Sequence, residues 1–226
     1  FPITKRRAYL FSGGISPVSI RHDEATNQHM RQLRENPGDF YMNELNRDAE
    51  ECRAIFAHLM GCDEGEVALV ENTSVGCNIA FDLIELPTTG NVVFDQYSYP
   101  SSVLPWFLPA RAHIEKKFVR PREDGILYLE DFKKSIDSNT VAVCISHVTQ
   151  KQGFRNDLAS VAEVAHENGA VIIVDGAQSA GAMSIDLHEI EVDFFSTTAM
   201  KWLLGAAGVG FLYIARRHHS KLPSHA

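Results

Sequence analysis

Residues Val171–Ile214 read VIIVDGAQSAGAMSIDLHEIEVDFFSTTAMKWLLGAAGVGFLYI. The stretch opens on four apolar residues, Val171–Val174, and ends that run with an acid, Asp175. After Gly-Ala-Gln comes a second strand-like run, Asp193–Thr197. A single lysine, Lys201, then stands among Met200, Trp202, Leu203 and Leu204. A third apolar run, Val209–Ile214, follows a glycine-rich turn. Short apolar runs bounded by turn residues read as buried strands, so this stretch is predicted to hold the middle of a sheet.

Working outward, strands are predicted at Val67–Val70, Asn91–Asp95, Ile114–Val119 and Val141–Ser146. Between them lie helical patterns. Arg21–Asn36 is polar and broken by Pro37-Gly38. Asn43–Met60 carries apolar residues at Leu45, Ala49, Cys52, Ile55, Phe56 and Leu59, and Gly61 supplies the stop. Further helices are expected over Val75–Leu86, Ser101–Ala110, Leu129–Ile136 and Asp157–Asn168, the last capped by Asp157 and ended by Gly169. Phe1–Ser19 reads as an arm, a short extended piece followed by turns. Strands alternating with helices mean βαβ units. The expected fold class is therefore α/β, a three-layer α/β/α sandwich around a mostly parallel sheet. Ligands should gather at the carboxyl ends of its strands. There is no internal repeat and no low-complexity segment.

The totals narrow the functional classes. The chain has 226 residues, 45% of them hydrophobic, so a substantial core can form. Twenty-one basic and 29 acidic residues leave a net charge of −8, which gives no general attraction for nucleic acid or an anionic membrane. No apolar run approaches the length of a membrane span. Cys52, Cys62, Cys77 and Cys144 stand far apart with no CxxC pair, which fits reduced, buried thiols and a cytoplasmic setting better than disulfides or a zinc site. No metal site is expected. There is no signal-peptide pattern. The chain begins at Phe1 rather than Met, so residues are expected to precede it.

Several residues carry chemistry, each with a plainer alternative. A lysine that forms an imine must attack while neutral, so it needs an apolar or cationic setting; Lys201 has apolar company, although lysines at turns are commonly just exposed. Asp175, at a strand's carboxyl end, can face a pyridine nitrogen and keep it protonated, or serve as a helix cap or metal ligand. Thr73 and Ser74 begin an apolar helix after a strand, a ready phosphate seat that is equally a plain N-terminus. Tyr99 can stack on a flat ring or pack on its own proline. His147 can act as a base or be a structural histidine. Gln150 and Gln178, polar groups at strand ends, can reach a phenolic oxygen or cap turns. There is no GxGxxG and no GxxxxGK[ST], which removes most support from a nucleotide-binding α/β domain. The phosphate-type turn, the aromatic, the strand-end acid and the lysine follow one another in chain order, each after a predicted strand.

In these residues the chain resembles the large domain of class V aminotransferase-like enzymes of fold type I, which use pyridoxal 5′-phosphate. It is most similar to the branch of cysteine desulfurases, selenocysteine lyases and isopenicillin N epimerase-like proteins. VDGAQ (Val174–Gln178) and MKWLLGAAGVGFLYI (Met200–Ile214) are the most specific segments. ENTSVGCNIA (Glu71–Ala80), YPSSVLPW (Tyr99–Trp106) and SHVTQKQGFRNDL (Ser146–Leu158) agree in order and spacing. The resemblance implies that Lys201 holds the cofactor as a Schiff base and that Asp175 partners the pyridine nitrogen. It also implies Gln178 near the phenolic oxygen, Thr73 and Ser74 at the phosphate, and Thr198 where a hydroxyl often reaches it. Tyr99 stands where many members have a ring-stacking histidine, Met200 where histidine often precedes the lysine, and Gln150 where desulfurases usually have asparagine.

The resemblance further implies an arm over residues 1–20, a cofactor-binding large domain over 21–215, and a linker from 216–226 toward a smaller C-terminal domain. That domain carries the arginine for the substrate carboxylate and, in desulfurases, the nucleophilic cysteine. An amino-acid substrate and a homodimer are implied as well. The reaction expected is of the cysteine desulfurase or selenocysteine lyase kind, with an aminotransferase or isopenicillin N epimerase-like enzyme as the alternative. A truncated, non-catalytic binding or interaction domain is the alternative of another class.

Overall fold

The computed structural model describes residues 1–222, so the end of the expected linker, residues 223–226, lies outside the described residues. Seven strands form one sheet: β1 (Val67–Val70), β2 (Asn91–Asp95), β3 (Glu115–Val119), β4 (Thr140–Ser146), β5 (Val171–Asp175), β6 (Phe194–Thr198) and β7 (Gly210–Ile214). Their order across the sheet is β1-β7-β6-β5-β4-β2-β3. The β2–β3, β2–β4, β4–β5 and β5–β6 pairs are parallel, while β7 runs antiparallel to both β6 and β1. The reversal has a local cause. A parallel return needs a crossover, usually helical, whereas residues 199–209 make a glycine-punctuated turn. Lys201 sits in that turn.

The helices are α1 (Ile20–Glu35), α2 (Pro37–Asp39), α3 (Asn46–Met60), α4 (Thr73–Asp82), α5 (Pro100–Val103), α6 (Leu129–Ser135), α7 (Leu158–Glu167) and α8 (Leu187–Ile190). Ser19 caps α1 by accepting from the His22 N–H at 3.0 Å. Asp157 caps α7. Gly61 ends α3 in the left-handed region, at φ 63°, where a side chain is strained. Two expectations need correction. Pro105 and Pro109 divide Ser101–Ala110 into short turns at Pro100–Val103, Leu104–Phe107 and Pro109–Arg111, because proline cannot donate inside a continuing helix. The arm opens on a 3-10 turn, Pro2–Lys5, rather than an extended piece.

The central strands are buried on both faces, and two apolar layers flank the sheet. One joins Phe56 and Met60 of α3, Phe132 of α6 and Val161 and Ala165 of α7 to Val143, Ile172, Val174 and Phe195. The other sets Cys77, Ala80 and Phe81 of α4, with Trp106, against Val92, Phe94, Cys144, Ile173 and Phe194. The edge strand β3 keeps Glu115, Lys116 and Lys117 at least partly exposed, which blunts edge-to-edge pairing. This sandwich brings the carboxyl ends of β2, β4, β5 and β6 to one side of the sheet.

Candidate functional site

At that side lies a hollow of about 550 Å³. Five strands contribute through an end or the loop after it. β1 leads into Glu71, Asn72, Thr73 and Ser74, β2 into Tyr99 and Ser101, β4 into Gln150, and β5 into Asp175 and Ala177. β6 supplies Thr198, Met200 and Lys201. Every candidate from the sequence therefore lines this hollow except Gln178 and His147. The Gln178 amide is engaged beside it: Gln178 Nε2 donates to Gly13 O at 2.8 Å, and Gln178 Oε1 accepts from Trp202 Nε1 at 2.9 Å. His147 is buried with its backbone N–H on Asp175 O, and burial, aided by Arg155, lowers its imidazole pKa to about 4.

Hollows of similar volume exist elsewhere, such as one of about 540 Å³ between Leu83 and Lys221. Volume does not single this one out; its chemistry does. Asp175 is only 5% exposed. Burial pushes its carboxyl above the usual range, against the Ala177 N–H that bonds Oδ1 at 2.9 Å and the nearby charge of Lys201. Burial lowers the pKa of Lys201, and Asp175 opposes that shift. A lysine whose charged form is disfavoured offers its neutral amine at lower pH than an ordinary lysine, the direction an imine-forming residue needs.

The head of α4 is the anion end. Asn72 caps it through Oδ1, which accepts the Val75 N–H at 3.0 Å, and Asn72 O takes the Gly76 N–H. The N–H groups of Thr73 and Ser74 are then the remaining donors of the first turn. Thr73 is 7% exposed, and its Oγ1 is buried without a hydrogen-bond partner among the described residues. A buried, unpartnered hydroxyl is costly, about 1–3 kcal/mol, and is resolved when an acceptor such as a phosphate oxygen sits beside it. Thr198 Oγ1, on the same hollow, has only a long 3.5 Å contact to Val209 O. Ser196 fixes the helix head from beneath, donating from Oγ to Thr73 O at 3.0 Å. The donor set therefore suits pyridoxal phosphate: hydroxyls and helix N–H groups for the phosphate, Asp175 for the ring nitrogen, Lys201 for the aldehyde carbon and Tyr99 for the ring face.

The sequence reading missed Gly13, Gly14, Asn72, Ser101 and Gly208, which also line the hollow. The arm folds back across the lysine turn: Ser16 N–H donates to Met200 O at 2.7 Å, beside the Gly13–Gln178 bond. Gly13 and Gln178 are 165 positions apart, so no local pattern joins them. The adjacent glycines of Ser-Gly-Gly were the available signal. A Cβ at Gly13 would stand 3.2 Å from Gln178 Oε1, and the residue keeps that approach open.

Comparison with known proteins agrees with this geometry. The family model described as aminotransferase class-V matches residues 8–226. A probable cysteine desulfurase of Methanothermobacter thermautotrophicus is 26% identical over 94% of this chain and 54% of its own. The apo structure of a cysteine desulfurase from Thermococcus onnurineus superimposes with a TM-score of 0.85 at 26% identity, covering 97% of this chain and 56% of that one. A mutant of the lyase C-DES, solved with glycine covalently linked to its PLP cofactor, superimposes at 0.88 over all of this chain and 61% of that one; at 24% identity it speaks for the fold alone. The chain thus spans about half the length of the relatives it matches.

Proposed function

Because the chain belongs to the class V aminotransferase family, whose members use pyridoxal phosphate, we propose that it is the cofactor-binding part of an enzyme acting on an amino acid, of the cysteine desulfurase or selenocysteine lyase kind. One observation carries the reading: Lys201, Asp175 and the orphaned hydroxyl of Thr73 line the same hollow. When bound, the cofactor supplies an electron sink for a carbanion at the substrate's α-carbon. Asp175, held in a buried setting, keeps the ring nitrogen protonated. Thr73, Ser74 and the head of α4 hold the phosphate, and Tyr99 supports the ring. Lys201, once its amine is free, moves a proton at the α-carbon as general base and then as acid.

A second reading has one observation in its favour. Tyr99 puts a phenol where an imidazole would serve as an acid, which favours an aminotransferase or epimerase-like reaction over sulfur removal. We also propose a homodimer, supported by the exposed apolar residues Ile55 and Leu59 on α3 and Leu204 in the lysine turn. The test of the main reading is addition of pyridoxal phosphate to the protein. A near-visible absorbance band should form, and borohydride should fix the cofactor on Lys201 as read by mass spectrometry. A label on another lysine would overturn it. Turnover of cysteine, or its absence beside turnover of another amino acid, separates the two reactions, and binding without any turnover would leave a non-catalytic module.

A further inference from the structure

Among the described residues, six side chains bury a nitrogen or oxygen with no hydrogen-bond partner: Gln32, Arg53, Thr73, Ser101, Trp106 and His147. Only Thr73 and Ser101 line the hollow. Thr73 is accounted for by the phosphate seat. Ser101 is not: it was no candidate in the sequence, and no contact in the fold uses its hydroxyl. Its neighbour shows the contrast. Ser102 Oγ faces the Cys77 sulfur at 4.0 Å, one turn down α4 from Thr73, so the serine that serves packing is already engaged.

A hydroxyl can donate one hydrogen bond and accept others, and burying it unpaired is as costly at Ser101 as at Thr73. Two such hydroxyls on one hollow, contributed by α5 and by the head of α4, can both be satisfied by one acceptor with several lone pairs. A phosphate has them; the N–H groups of Thr73 and Ser74 already favour negative charge there. We propose that Ser101 is a second hydroxyl of the oxyanion seat, donating with Thr73 to the phosphate of the bound cofactor. This rests on the pyridoxal phosphate reading above. It adds a ligand residue from the first turn of α5, two positions after the ring-supporting Tyr99 that precedes that helix.

The experiment compares wild type, Ser101→Ala and Ser101→Thr, each checked for native circular dichroism. The probes are pyridoxal phosphate, pyridoxal without the phosphate, and inorganic phosphate. With Ser101→Ala, affinity for pyridoxal phosphate should fall roughly tenfold, as for loss of a hydrogen bond to a charged group. Inorganic phosphate should weaken in parallel, pyridoxal should be unchanged, and Ser101→Thr should recover most of the loss. Wild-type affinity in Ser101→Ala would overturn the proposal. So would an equal loss for pyridoxal and its phosphate, which would move the contact to the ring. Failure of the wild type to bind pyridoxal phosphate would instead sink the cofactor reading, and the inorganic phosphate arm would still decide whether Ser101 serves an anion.

Discussion

The amine nitrogen of Lys201 lies 5.8 Å from the centroid of the Tyr99 ring. The two residues come from different strands' ends, β6 and β2, that are three strands apart in the sheet. An ammonium over a ring face gains about 0.5–1 kcal/mol where water still reaches it, and Tyr99 is 42% exposed. The contact therefore orients the lysine without locking it, and it leaves the ring available to a flat ligand.

Tyr99→Phe should keep that ring face, and Tyr99→Ala should remove it. Titration with pyridoxal phosphate, followed by absorbance, should give near wild-type affinity for Phe. A several-fold loss is expected for Ala, corresponding to about 1 kcal/mol of aromatic stacking. An equal loss in both variants would assign the role to the phenolic hydroxyl instead.

Asp175→Asn tests the coupling of acid and amine. Burial lowers the pKa of Lys201 and the charge of Asp175 raises it. Removing that charge should lower the lysine pKa further, so the neutral amine appears at lower pH. The rate at which an acylating reagent labels Lys201, read by mass spectrometry across pH, should shift toward acid in the variant. Asp175 itself is held above the ordinary carboxylate range by burial, so the two profiles should merge at the acid end, where position 175 is uncharged in wild type and variant alike. Superimposed profiles throughout would show that the carboxylate does not act on the amine.

Gly76→Ala should disturb the phosphate seat through packing. A Cβ at Gly76 would stand 2.2 Å from Ser196 Oγ and 3.0 Å from its Cβ. Ser196 donates to Thr73 O, so α4 must lift off β6 and take its first turn with it. Overpacking of this kind costs about 1–3 kcal/mol. Denaturant unfolding should show that loss, and affinity for inorganic phosphate should fall with it. A destabilised variant with unchanged phosphate affinity would separate the helix head from the anion.

Much of the fold was legible because each central strand is a short apolar run, and burial on both faces removes the ambiguity of alternation. VIIVD and FFSTT needed no partner to be read. The places of Asp175 and Lys201 were legible for the same reason: Asp175 closes such a run and Lys201 follows one. The reversed direction of β7 was not legible, since it depends on the turn at 199–209 failing to form a helix. Nor was the arm's place over the lysine turn, which rests on two hydrogen bonds, Ser16 to Met200 and Gln178 to Gly13, between distant parts of the chain. Ser101 escaped because a one-turn helix gives a serine no periodicity to betray it; only the absence of a partner in three dimensions, among the described residues, marks it.

Asp193, at the opposite end of β6, is the site where stability should depend most steeply on acid. Its side chain is 2% exposed. Burial alone would raise its pKa, but hydrogen bonds from His166, His218 and Arg217, at 2.9, 2.6 and 2.7 Å, and from the Ile172 N–H reverse the sign and hold it well below the usual range. A carboxyl with a depressed folded pKa contributes stability that is present above its unfolded value, about 3.9, and is lost as pH falls toward the folded one. Asp193→Asn should therefore cost about 2 kcal/mol at pH 7, since the charge-assisted hydrogen bonds to the carboxylate are lost while the half-exposed Arg217 can turn to water. The difference from wild type should shrink below pH 4, where only the wild type has stability left to lose. Urea midpoints at pH 7 and pH 3 measure it. A gap that stays constant between them would show that shape rather than charge holds Arg216–Lys221 to the sheet.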